Sequence, residues 1–404
     1  MPHPPRARRP RWCLGATAAL ALTACGAGPA SPSADGPPPA TPHGYVAGAE
    51  ELPEPQLQLA YTDAGGSAHA LDLLTGETAE LGQLGPVDTM ATDGRFLFTT
   101  STGTGELTVV DTGTWTVDHG DHVHYYRAPA RVVGSMTWSG DVEAASSDTL
   151  TALFSPTSGT GVVLDRAALG RGELTELATV ESEPHQGALV PLGNDVVATD
   201  GTSVRGLDAD GRPLPDAEAP CADPRGGHAT RVGVVVSCAD GAVLVTEADG
   251  GVELEQIPYP TPVAEAERAS GLDNRPGRPS VAAPAGTRGV WLLDTRARSW
   301  QLVPTPTPWV TAVAADDEAD RVVGVDTTGQ VVVLEPGTGA VTGTGPLLPV
   351  DRLTEVDVHV DADRTYVNVP GSTDLLEVDH ADGARVARTF SAEVVPAHLA
   401  ETGR

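Results

Sequence analysis

The sequence predicts an all-β fold, a β-propeller of eight four-stranded blades, with seven as the alternative count. Two observations carry that prediction. From about Leu57 onward, short runs rich in Val, Leu and Thr are broken by DG, GG and TG dipeptides, the pattern of strands joined by tight turns. A unit of about 40 residues also recurs, the spacing of a four-stranded blade. Composition agrees: 46 Gly and 35 Pro with only 4% aromatic residues are too turn-rich for a helical bundle.

The unit is plainest in 357–390 (DVHVDADRTYVNVPGSTDLLEVDHADGARVARTF) and recurs in 309–342 and 87–117. Looser copies start near Ser135, His185, His228 and Ser280. Ahead of them, 57–80 reads as a blade lacking its innermost strand. At the far end, 396–400 (PAHLA) reads as an innermost strand lacking its blade. Pairing the C-terminal strand with the N-terminal blade would close the ring and leave no open sheet edge.

The segments before the propeller have different chemistry. Arg6, Arg8, Arg9 and Arg11 precede the apolar run Leu14–Thr23, too short to span a bilayer as an ordinary helix, so residues 1–24 read as an export signal. Residues 22–26 (LTACG) resemble the bacterial lipobox, which implies cleavage before Cys25 and lipid on its thiol. Residues 25–54 then form a Pro/Ala/Ser-rich spacer that cannot bury a core, and 55–404 a single propeller domain. The expected location is the outer face of the bacterial cytoplasmic membrane, with the lipid on Cys25 as anchor.

The chain carries 25 basic residues, all Arg, against 55 acidic ones. That balance excludes nucleic acid as a partner, because phosphate binding needs clustered cations, and it draws cations to the surface. Once the export signal is removed, Cys221 and Cys238 are the cysteines left for disulfide chemistry. Outside the cytoplasm they read as a disulfide rather than two free thiols, and their spacing does not suit a CxxC metal site.

Histidine is sparse and unevenly placed. Residues 118–127 (DHGDHVHYYR) hold His119, His122 and His124 beside Asp118 and Asp121. Elsewhere His185, His228, His359 and His398 fall at or near the start of a blade's innermost strand, and Asp88 takes the equivalent place in its own blade. Taken singly, each reads as a hydrogen-bonded structural residue. His69 and His380 read as surface residues of outer strands, and His359 fits no cluster. The recurrence, together with a three-His loop, points to a metal bound by imidazole nitrogen and carboxylate, as zinc prefers. No soft thiolate set is present for Cu(I) or an Fe–S centre. Two clusters are expected if the loop folds across the end where those strands begin: His124 with His185 and His228, and His122 with Asp88 and His398. His119 is a further loop candidate.

These residues resemble the AztD-type zinc metallochaperones, exported propellers that hand zinc to the solute-binding protein of a zinc ABC importer. The likeness lies in HGDHVHYYR (119–127), EPHQGALVPLG (183–193), the Cys221 and Cys238 pair around GGHAT, and the stretch from YVNVPGSTDLLEVDHADGARVART (366–389) to AETGR (400–404). It implies zinc as cargo, a mobile His-loop carrying His122 and His124, a tighter site of His124, His185 and His228, and a second site of Asp88, His122 and His398. It also implies a monomer that transfers metal and is not an enzyme. The lipobox departs from the soluble periplasmic members. A propeller scaffold without metal and a metal-dependent hydrolase are the rival readings; a copper redox propeller would need more His and a cupredoxin-like domain.

Overall fold

The computed structural model describes residues 46, 48–118 and 122–404. The export signal, Cys25 and His119 lie outside the described residues. Among those described, the secondary structure is strand throughout apart from the short helix Arg166–Arg171 and two single 3₁₀ turns. Eight antiparallel sheets of three or four strands follow one another along the chain, the arrangement of a β-propeller, and a ninth small sheet stands apart from them.

Strand alternation explains why each sheet is buried on both faces. In Phe96–Ser101, Phe96 and Phe98 pack toward the next sheet with Leu153 and Val162. Leu97, pointing the other way, packs with Ala60, Ala68 and Ala400 of the preceding one. The same division repeats along the chain. Eight apolar clusters each join two successive sheets, and one of them joins the last sheet to the first through Leu59, Tyr61, Tyr366 and Leu375. Each fully buried Leu or Val contributes about 1.5–3 kcal/mol, so these seams hold the sheets face to face.

The expected pairing of the two chain ends is present. His398–Thr402 pairs antiparallel with Gln58–Thr62, with His398 opposite Thr62 and Thr402 opposite Gln58. Cys221 and Cys238 form a disulfide across 17 residues, inside the apolar seam of the fourth and fifth sheets.

Three repeat boundaries differ from the sequence reading, each for a local reason. The copy placed at Ser135 belongs to Arg131–Thr137, the fourth strand of the second sheet, and the third sheet begins at Glu143–Ser146. Ser280–Pro284 is preceded by Asp273, which bridges to Ala282, so an irregular stretch takes the first position in the sixth sheet. Finally, Thr114–Asp118 does not complete the second sheet. It turns away after Gly113 (φ 83°) and pairs with Val123–Arg127 to make a separate hairpin, edged by Glu50–Leu52. Trp115 holds that hairpin down: it stacks on Tyr126, and the Arg95 guanidinium lies 3.7 Å over its ring.

Candidate metal centre

The hairpin presents the His-loop. His124 sits in Val123–Arg127 opposite Val117, and His122 stands just before that strand. Their rings meet edge to face with centroids 4.9 Å apart. The Nδ1 of His124 lies 2.7 Å from Glu51 Oε1 on the neighbouring strand. A carboxylate only accepts, so in the neutral ring the proton is on Nδ1 and the acceptor lone pair is on Nε2. That is the carboxylate–histidine arrangement which orients a metal-binding imidazole.

Asp88 and His398 come together at the start of two adjacent first strands. Each feels the other's charge, and His398 also bonds the Val87 backbone. Burial holds the His398 imidazole below its ordinary range, against the opposing pull of Val87 and Asp88. Asp88 is held low by Thr102, whose backbone N–H and hydroxyl both donate to Oδ2 at 2.6 Å.

His185 and His228 are neighbours through Gly226, whose N–H donates to Gln186 O at 3.1 Å. Both rings are engaged. His185 Nδ1 donates to Glu183 O at 2.8 Å, which leaves Nε2 to accept from the Thr199 hydroxyl at 2.7 Å. Asn274 donates to Arg278 O, so its Oδ1 faces His228 and accepts from Nε2 at 2.9 Å, which puts the lone pair of the neutral ring on Nδ1. His228 lines a cavity of about 260 Å³ shared with Asp273, Asp357, His359 and Arg404.

The two expected clusters are not assembled in this arrangement. Gly403, just beyond His398–Thr402, accepts from Thr116 Oγ1 at 2.8 Å, and its own N–H donates to Gly94 O. The hairpin therefore grows from the end where the first strands finish. His398 stands where its strand begins, about 15 Å from the far end for five residues at the usual strand rise, and Asp88 and His185 likewise precede the first strands of their own sheets. Among the described residues no three His, Cys, Asp or Glu side chains are grouped as a metal site. What the fold brings together is two pairs, His122 with His124 and Asp88 with His398.

His380 and His69 are placed differently from the sequence reading, whereas His359 is hydrogen-bonded as expected. His380, expected at the surface, is buried with Nδ1 3.2 Å from the Thr365 hydroxyl. His69 is half-buried against Tyr61 and bonded to Ser67. His359 faces the cavity and donates from Nε2 to Leu399 O; burial, aided by Arg404, lowers its pKa to about 4, so it is neutral near pH 7. Glu51 and Glu143 were not singled out from the sequence. Glu143, exposed, begins the first strand of the third sheet. One signal for Glu51 was its acidic run, EE, ahead of the first long strand.

Comparison with solved structures places the architecture. Apo AztD from Citrobacter koseri matches with a TM-score of 0.72 at 18% identity, over 86% of this chain and 98% of that one. The fold is that of AztD. A second crystal structure of Citrobacter koseri AztD matches with the same TM-score at 19% identity. Sqt1 from Saccharomyces cerevisiae, at 0.52 and 10% identity, covers 83% of this chain and 88% of its own. No family model matches the chain, and no curated protein does. Coverage of nearly all of AztD means that the likeness extends over the whole propeller rather than a few blades.

Proposed function

We propose that this chain is an AztD-type zinc metallochaperone, which takes up zinc outside the cytoplasm and passes it to the zinc-binding protein of an ABC importer. We read its eight sheets as eight blades of one ring closed by the C-terminal strand. The Arg-rich leader and LTACG support export and a lipid anchor at Cys25, on the outer face of the cytoplasmic membrane. The chain acts as a monomer and catalyses no reaction.

The observation that carries the reading is the hairpin built out from the second sheet, with His122 and His124 side by side and His124 braced by Glu51. Two imidazoles on an exposed hairpin hold a borderline-soft cation by neutral nitrogen and leave coordination positions for an acceptor to enter. An acceptor protein can then replace them one at a time. Asp88 with His398 is the second, weaker site. His185 and His228 join the tighter site only if the hairpin reseats, because both rings must give up their present partners. Protons compete for every one of these imidazoles, so zinc is released as pH falls.

The test is elemental analysis of the untagged mature domain, purified without added metal, beside the His122→Ala/His124→Ala and His124→Ala/His185→Ala variants. About one or two zinc per chain is expected, with tight binding lost from both variants. A folded hairpin double variant that keeps tight zinc would remove the proposed site. A wild-type chain that takes up no zinc at micromolar concentration would leave a metal-free propeller scaffold.

A further inference from the structure

The cavity of about 260 Å³ beside His228 is walled by the first strands of several sheets. Thr89–Thr92, Gly227–Ala229, Trp309–Ala314, Val358–Val360 and His398–Thr402 all contribute to it, with the irregular stretch at Asp273 in the sixth sheet. Met90, Val313 and Leu399 supply apolar wall, and two carboxylates, Asp273 and Asp357, line it from different sheets.

The hydrogen-bond donors of this wall are already engaged. His228 Nε2 donates to Asn274 Oδ1 and His359 Nε2 to Leu399 O, both at 2.9 Å. The Asn274 amide donates to Arg278 O, and the Thr92 hydroxyl to Phe96 O. Arg404, the one guanidinium in the wall, is bonded at 3.2 Å to the fully buried Glu401. Counting Glu401, three carboxylates share that guanidinium.

What remains is acceptors. Asp357 takes the Leu399 N–H on Oδ2 and Asp273 takes the Asn274 N–H on Oδ1, each at 2.8 Å, which leaves both a second oxygen. Among the described residues neither makes an ion pair with arginine; Asp273 has the His228 ring at 3.9 Å. The neutral rings of His228 and His359 carry their lone pairs on Nδ1. Desolvation raises the half-buried Asp357 carboxyl to about 6, against the Leu399 bond.

A ligand matching this wall brings donors, positive charge and an aliphatic body. A single metal ion does not match, because among the described residues no three His, Cys, Asp or Glu side chains are grouped to reach one. An ammonium group has three N–H donors and no acceptor. The volume lies below the range of drug-sized sites, so the ligand is small.

We propose that this cavity binds a small aliphatic diamine in its doubly protonated form, one ammonium on Asp273 and the other on Asp357. The inference stands apart from the zinc reading, since it uses neither the hairpin ligands nor Asp88 and His398.

Calorimetric titration of the whole chain with putrescine, in zinc-free buffer at pH 8 where Asp357 is ionised, tests this. Asp273→Asn, Asp273→Asn/Asp357→Asn and a titration with n-butylamine run alongside. Saturable putrescine binding at a single site is expected, weakened by salt, with n-butylamine much weaker. Asp273→Asn should weaken it on the order of tenfold, as for loss of a hydrogen bond to a charged group, and the double variant should abolish it. The two positions are a small part of 55 acidic residues, so diffuse attraction to the acidic surface would survive both changes. Asp273 is nearly half exposed and Asn keeps an acceptor at each position, so the variants keep the fold, which their unfolding midpoints check. No saturable putrescine binding at millimolar concentration, wild-type affinity in both variants, or n-butylamine binding as tightly as putrescine overturns the proposal.

Discussion

The imidazole of His124 and the carboxylate of Glu51, 73 residues apart in the chain, meet at 2.7 Å because Glu50–Leu52 pairs with the strand that carries the histidine. The register sets Glu51 opposite Tyr126, two residues along from His124, so both side chains project on the same face of the ladder. The contact selects one ring tautomer and one ring orientation. It makes the hairpin histidine a positioned donor rather than a loose one.

Glu51→Ala should therefore weaken zinc binding at the hairpin by about ten- to a hundredfold, the usual effect of losing such an orienting partner. Glu51 is nearly half exposed, so the fold should be unaffected. Competition with a chromophoric chelator measures the change. An unchanged affinity would mean that Glu51 does not orient the ligand.

Gly113 is the turn that takes Thr114–Asp118 away from the second sheet. An added Cβ there would come within 2.2 Å of the Ala128 carbonyl, at a φ of 83°. Gly113→Ala should cost on the order of 1–3 kcal/mol and unseat the hairpin. Denaturant unfolding should show the loss, and the zinc titration should weaken with it.

Glu401 gives a pH signature. It is fully buried in the strand that joins the chain ends, and burial raises its carboxyl to about 7, opposed by Arg404 and helped by Asp361. An ordinary Glu ionises near 4.5. Between those values the folded chain holds a proton that the unfolded chain has released, so this residue's contribution falls as pH rises from 4.5 to 7. Glu401→Gln removes that loss while keeping an acceptor for Arg404. Its unfolding midpoint should exceed wild type at pH 8 and converge with it near pH 4; equal midpoints at pH 8 would contradict the assignment.

The disulfide should matter for stability. Replacing Cys221 and Cys238 together by Ala frees a loop whose ends are 17 residues apart, at a cost of about 3 kcal/mol by loop-closure entropy. The drop should appear equally in the wild-type chain under reductant. A midpoint that does not move would show that the apolar seam around the two cysteines suffices.

Much of the fold was legible because its signals are local. The alternation in FLFTTS and ELTVVD, the turn glycines between them and the orphan strand PAHLA each act over a few residues, and each is found as a strand. The candidate site was legible only in part. Asp88 and His398 meet because the chain ends pair, a relation visible as a missing strand at one end and a spare one at the other. The structure does not bring His124 together with His185 and His228: that grouping needs the loop to fold across the end where the first strands begin, whereas GTWTV leaves the second sheet as half of a hairpin. Nothing in its Thr/Val pattern distinguishes a fourth strand from half a hairpin; Gly113, and the stacking of Arg95, Trp115 and Tyr126, decide that. His380 likewise looked exposed, yet it is buried beside Thr365 on the adjacent strand.

By itself the sequence determined the strand periodicity, the blade-length repeat, the cysteine pair and which residue types are available to hold a metal. Those properties rest on composition, spacing and alternation, which do not change with the path of the chain. The tertiary structure alone decided which end of the first strands carries the hairpin, that Glu51 braces His124, and that Asp273 and Asp357 line one cavity. Each of these joins residues tens to hundreds of positions apart. Their meeting depends on ladder register and on glycines that admit close approach, and no local pattern encodes either.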